Sequence, residues 1–101
     1  MRKLLTEKML SEIPDLYSTE DISDPVCHVK LFTPDSNWSW YITEISKDDN
    51  ITCFGYVIGN ESELGYFNLL EIENIKGALG LEVEVDIHFT PTLLSKVKRG
   101  S

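Results

Sequence analysis

Beyond its many carboxylates, the chain offers metal or proton chemistry only two cysteines, Cys27 and Cys53, and two histidines, His28 and His88. Cys27 and His28 are consecutive, so on a strand they point to opposite faces and cannot reach one ion. Asp86 and His88 are two apart and share a face, but two ligands are only half of a structural zinc site. No Cys-x-x-Cys or His-x-x-x-His spacing occurs. Neither a metal nor a cofactor is expected. Ser36, Ser39, Ser46 and Ser62 lie in no nucleophile elbow, and no glycine-rich phosphate loop is present. Glu44 and Glu84 would form an acid–base pair only if their strands were neighbours. No catalytic residue is assigned on this evidence.

Charge says more. The whole chain carries a net −8, and its basic residues crowd the ends: Arg2, Lys3 and Lys8, then Lys96, Lys98 and Arg99. Between Met9 and Ser95, three lysines (Lys30, Lys47, Lys76) face sixteen acids, a net −13. Such a body repels nucleic acid and attracts basic surfaces. Glu82, Glu84 and Asp86 alternate along one stretch. On a strand they would share a face at about 6.6–6.8 Å intervals, close to the phosphate spacing of one DNA strand. Asp48, Asp49, Glu61 and Glu63 in turns, with Glu71 and Glu73, would extend that surface. The expected partner is a basic protein, with no direct nucleic-acid binding. The competing reading is a solvated, edge-protecting charged face.

Aromatics are the second resource. Trp38, Trp40, Tyr41, Tyr56, Tyr66 and Phe67 fall in three neighbouring strand-like runs. They form either a core cluster with one wet edge or a pocket. A stacking platform for single strands is disfavoured, because no basic groove tracks a phosphate backbone.

At 101 residues and 42% hydrophobic content, the chain suffices for one modest core. No apolar run reaches the length of a membrane span. Thr6, Glu7 and Lys8 cut short the apolar start at Leu4-Leu5, so no signal-peptide core forms, and a cytoplasmic location is expected. Two cysteines in apolar runs read as buried free thiols. The sequons at Asn37, Asn50 and Asn60 then read as turn residues.

The elements that must position these groups follow from periodicity and punctuation. Thr6 caps a helix over 7–13 with Leu5, Met9 and Ile13 as its apolar stripe. Strands are expected over 26–32, 38–46, 51–58 and 64–67. In the second, Trp38, Trp40, Ile42 and Glu44 share one face, and Ser39, Tyr41, Thr43 and Ile45 the other. Lys47-Asp48-Asp49-Asn50 closes a hairpin. Gly55 and Gly65 each precede a tyrosine and mark a bulge or a close approach by a ring. Asn68 caps a helix from Leu69 to about Lys76. Leu81 to Phe89 alternates strictly, with Leu81, Val83, Val85, Ile87 and Phe89 inward. The fold class is α+β: one small domain over 1–97, mainly an antiparallel sheet of about five strands with two or three short helices. Residues 98–101 are expected to be a disordered tail.

The stretch His28-Val29-Lys30-Leu31-Phe32-Thr33-Pro34-Asp35-Ser36-Asn37-Trp38-Ser39-Trp40-Tyr41 carries a family resemblance. So do Phe54-Gly55-Tyr56-Val57, Glu63-Leu64-Gly65-Tyr66-Phe67 and Asp86-Ile87-His88-Phe89-Thr90-Pro91. Together they resemble small single-domain proteins of unknown function found on bacterial plasmids, phages and conjugative elements. Val85 stands where members of that family often carry an arginine. The resemblance brings no activity, but implies a mobile-element setting.

Charge and resemblance together lead to one expectation: a non-enzymatic, acidic protein-binding module of a mobile genetic element. It would serve as a counter-defence or DNA-mimicking inhibitor of a basic DNA-processing partner. One alternative is a small-molecule- or metal-binding enzyme-like domain, with Trp40, Tyr56 and Tyr66 around a pocket and Asp86 and His88 as its polar groups. Another is an accessory structural protein of DNA transfer.

Overall fold

The computed structural model describes residues 3–100. Met1, Arg2 and Ser101 lie outside them. The centre of the fold is a meander of three strands, β3 (Ser39–Ile45), β4 (Thr52–Ile58) and β5 (Ser62–Asn68). Its first turn is built by side chains. Asp49 Oδ1 accepts from the Ile51 and Thr52 amides, and Asn50 takes the left-handed backbone (φ 54°) that asparagine tolerates. On the other side of β3 lie β2 (Val29–Phe32) and then β6 (Glu84–Val85), giving the antiparallel order β5-β4-β3-β2-β6. A separate two-stranded ribbon joins β1 (Val26–Cys27) to β7 (Thr92–Leu93).

Register assigns each side chain to a face. Trp40 pairs with Leu31 and Val57, and Ile42 with Val29 and Gly55. These positions pack against Leu4, Leu5, Ile13, Leu69, Ile72 and Val83 in the main core. The helices here are α1 (Glu7–Glu12), capped by Thr6, and α2 (Leu69–Glu73), capped by Asn68. Leu5, Met9 and Ile13 form the expected stripe of α1. On the opposite face, Lys30, Tyr41, Tyr56 and Leu64 share one cross-strand row. There the third helix, α3 (Leu94–Gly100), buries Leu94 and Val97 against Cys27 and Tyr41. Asp24 holds the start of α3, accepting from both the amide (2.9 Å) and the hydroxyl (2.7 Å) of Ser95. Among the described residues, no helix is long and apolar enough to cross a membrane.

The α+β class and the five-stranded antiparallel sheet match the sequence reading, and four local features differ. First, β3 contains a bulge at Thr43, so Glu44 and Ile45 exchange the faces that simple alternation gives them. Second, the run 26–32 breaks at His28, whose amide turns to the Ile42 carbonyl (2.8 Å). Third, 81–89 is not one strand. Val83 is buried as expected, but Leu81 is 48% and Ile87 81% exposed. The chain leaves the sheet after Val85 into a turn, where Asp86 Oδ1 accepts the His88 amide. Fourth, α2 stops at Glu73, and α3 continues through Lys98 and Arg99, residues that the sequence places in a tail.

Candidate functional site

The Thr43 bulge creates the main candidate site. Without the extra residue, Glu44 would enter the main core opposite Cys53. With it, Ile45 takes that place and Glu44 lies opposite Phe54, in the cross-strand row Tyr66–Phe54–Glu44. Glu44 is only 5% exposed. A buried carboxylate needs donors, and the loop after α1 supplies them. The Tyr17 amide donates to Oε1 (2.9 Å), and the Thr19 amide (3.0 Å) and hydroxyl donate to Oε2. Tyr17 adopts a left-handed backbone (φ 68°) to present its amide. Asp15 fixes the same loop to the sheet by accepting the Lys47 amide (2.9 Å).

Loop, sheet and α3 together enclose a groove of about 440 Å³. Its aromatic part is Tyr17, Phe54 and Tyr66, with Phe54 and Tyr66 edge-to-face at 4.9 Å and Tyr17 and Tyr66 at 6.4 Å. Glu20 and Glu44 bring negative charge, and Lys98 lies at the α3 side. A hydrogen bond with Tyr17 raises the Tyr66 pKa above its ordinary value of 10.0, reinforced by the charges of Glu44 and Glu20. Tyr66 is therefore a neutral phenol at neutral pH. The Glu44 carboxylate in this groove is held by three donors from the loop.

The same sheet face carries two lysine–tyrosine contacts of the chain's own. The Lys30 ammonium lies 5.6 Å from the Tyr41 ring centroid, and the Lys98 ammonium 5.6 Å from that of Tyr56. Both distances fall within cation–π range.

The sequence-derived acidic set does not form one surface. Asp48 and Asp49 sit in the β3–β4 turn, at one end of the sheet. Glu61 and Glu63 lie at the other end, by the edge strand β5, while Glu84 lies on the opposite edge strand, β6. Glu82 is exposed and forms an isolated bridge with Lys76. Asp86 is half-buried and ion-paired with Lys30 (3.8 Å). Glu71 is exposed on α2, whereas Glu73 is buried and accepts the Leu4 amide (2.9 Å). Glu44 and Glu84 share a face but lie at opposite ends of it.

The aromatic set divides between the two faces. Tyr41, Tyr56 and Tyr66 share the groove side, whereas Trp40 faces the main core and stacks on Trp38 at 5.9 Å and 27°. Trp40 therefore cannot line a pocket with Tyr56 and Tyr66. The groove residues Tyr17, Glu20 and Phe54 were outside the sequence-derived set, and Glu44 entered it only as a possible acid–base partner of Glu84. One signal was present: an acid, Glu44, at a core-face position of an otherwise apolar strand.

Cys27 and Cys53 are buried in separate clusters on opposite sides of the sheet. Burial pushes each thiol up to about 12. Burial lowers the His28 pKa, partly countered by Glu12, so the ring is neutral at pH 7. Among the described residues, no three His, Cys, Asp or Glu side chains converge as a metal set.

Comparison with curated proteins and with solved structures gives no match. Residues 2–97 match the model of the family described as protein of unknown function (DUF2958), and the chain belongs to that family.

Proposed function

We propose that this protein is a non-enzymatic binding module that captures a basic segment of a protein partner in the Tyr17–Phe54–Tyr66 groove. The observation that carries this reading is the pairing of aromatic rings with Glu20 and Glu44 on a sheet face that already holds two lysine ammoniums over tyrosines. Aromatic faces attract cations through the ring quadrupole, and nearby carboxylates add charge. The net charge of −8 draws a basic partner in from a distance. The finer setting rests on the sequence resemblance: a bacterial mobile element, a cytoplasmic location, and counter-defence against a basic DNA-processing protein.

The test is binding of a short Lys- and Arg-rich peptide, followed by calorimetry at low salt and at about 0.15 M. Two variants separate the acidic surfaces. Tyr66→Ala with Glu20→Gln removes groove chemistry at exposed positions. Lysine at Glu82, Glu84 and Asp86 reverses the edge ladder. The groove reading expects loss of binding in the first variant and retention in the second. Loss only in the second assigns binding to the ladder, and no binding by wild type removes the proposal.

A further inference from the structure

A second cavity, of about 320 Å³, opens on the other face of the sheet and has different chemistry. One wall is the Trp38–Trp40 stack and the other is the segment Ile75–Gly77, with Thr33 and Ser36 between them. Trp40 is buried, but Trp38 remains 40% exposed. An exposed tryptophan normally keeps its freedom, and this one is held. Its ring lies on Gly59, where a Cβ would come within 2.5 Å of two ring carbons. The facing wall is held as well. Asp35 Oδ2 accepts the Leu79 (2.7 Å) and Leu81 (3.3 Å) amides, and the other oxygen fills the space that Gly77 leaves by lacking a Cβ. Thr33 and Ser36 hydroxyls are hydrogen-bonded to each other, so the polar floor is also pre-set.

We infer that this slot is a binding site for a planar aromatic anion, its ring against Trp38 and its negative group toward Lys76. Stacking on a fixed indole needs little side-chain ordering, so the ring supplies affinity at low entropic cost. Lys76, the charged side chain of the lining, sets the sign of the ligand against one opposing charge, the Asp35 carboxylate behind Gly77, whose Oδ1 is buried without a hydrogen-bond partner. Among the described residues, no carboxylate lies within ion-pair distance of the Lys76 ammonium. Its cross-strand neighbour Glu82 is outside the lining. This site is independent of the groove and takes the opposite charge.

The chain has two tryptophans, both in this wall, so their two indole N–H resonances report the slot directly. The experiment titrates 2-naphthoate, then 2-naphthylmethylammonium, into the labelled protein. The carboxylate should shift both resonances saturably, with the ammonium at least about tenfold weaker (1.4 kcal/mol). Lys76→Gln should raise the naphthoate Kd several-fold, and Trp38→Leu should abolish saturable binding. Both substitutions are at exposed positions, so the backbone spectrum should persist and verify the fold. Equal binding of the two probes, naphthoate binding insensitive to Lys76→Gln, or no saturable shift overturns the assignment.

Discussion

Glu44 lies opposite Phe54 and not opposite Cys53, because Thr43 adds one residue to β3. That single offset keeps a carboxylate out of the main core and turns it toward Tyr17 and Thr19. Glu44→Ala should leave two backbone amides of the loop without their acceptor. A loss of about 1–3 kcal/mol in stability is expected from an unmet buried donor. Amide exchange at Tyr17 and Thr19 should accelerate, while exchange at Ile42 stays slow. Urea titration and exchange spectra check this; unchanged protection at Tyr17 would show that Glu44 does not hold the loop.

Gly55 and Gly65 face each other across β4 and β5, and their substitution should have unequal effects. A Cβ on Gly55 would enter the van der Waals shell of the Tyr41 carbonyl oxygen, which a backbone atom cannot vacate cheaply. The same atom on Gly65 meets nothing within 4 Å. Gly55→Ala should cost about 3 kcal/mol or prevent folding, and Gly65→Ala should stay within about 0.5 kcal/mol. The close approach is by backbone, not by a tyrosine ring, and the bulge lies on β3. Equal midpoints for the two variants in thermal melts would contradict this register.

These two sites show what the sequence could convey. Turn residues such as Asp49-Asn50 act locally, so the β3–β4 hairpin and the period-two runs were legible. The bulge was not, because Thr43 carries no local mark. Its reason is tertiary: the core accepts Ile45 and excludes Glu44. The run 81–89 misled for the same reason. Alternation states which residues could share a face, but only Glu84 and Val85 find a partner strand, and Ile87 is left in a turn. The groove joins a loop, three strands and a helix distant in sequence, so no short motif could announce it.

Stability should fall in acid through Asp24 and Asp49. Ser95 side-chain and backbone hydrogen bonds hold Asp24 below its ordinary 3.8, and the Thr52 and Ile51 amides do the same for Asp49. A folded-state pKa below the unfolded one gives stability that is full above 3.8 and lost as pH drops through the lower, folded value. Asp24→Asn should therefore be less stable than wild type at pH 7, with the gap closing below pH 3.8. Denaturant midpoints across that range decide it, and a gap that persists in acid would locate the effect elsewhere.

Both cysteines should resist thiol reagents in the native protein. Raising a thiol from 9.0 to about 12 lowers its thiolate fraction on the order of a thousandfold at pH 7–8. Burial then removes access as well. Ellman's reagent should report neither thiol until denaturant is added, and both thereafter. Fast labelling of either in native buffer would mean that its cluster opens readily.

The sharpest functional prediction concerns Lys98. Its ammonium lies over Tyr56 and at the side of the groove, where it supplies positive charge against any incoming cation. If the groove captures basic side chains, Lys98 competes with the partner for the same face. Lys98→Ala should then tighten binding of the Lys- and Arg-rich peptide by about two- to fivefold, matching the 0.5–1 kcal/mol of an exposed cation–π contact. Lys96→Ala removes an equal charge from the same helix at a lysine that makes no cation–π contact among the described residues, and should change affinity far less. Calorimetric titration of the pair separates a local effect from net charge. Equal gains in the two variants would reduce the groove to long-range electrostatics, and weaker binding in Lys98→Ala would rule out competition for the aromatic face.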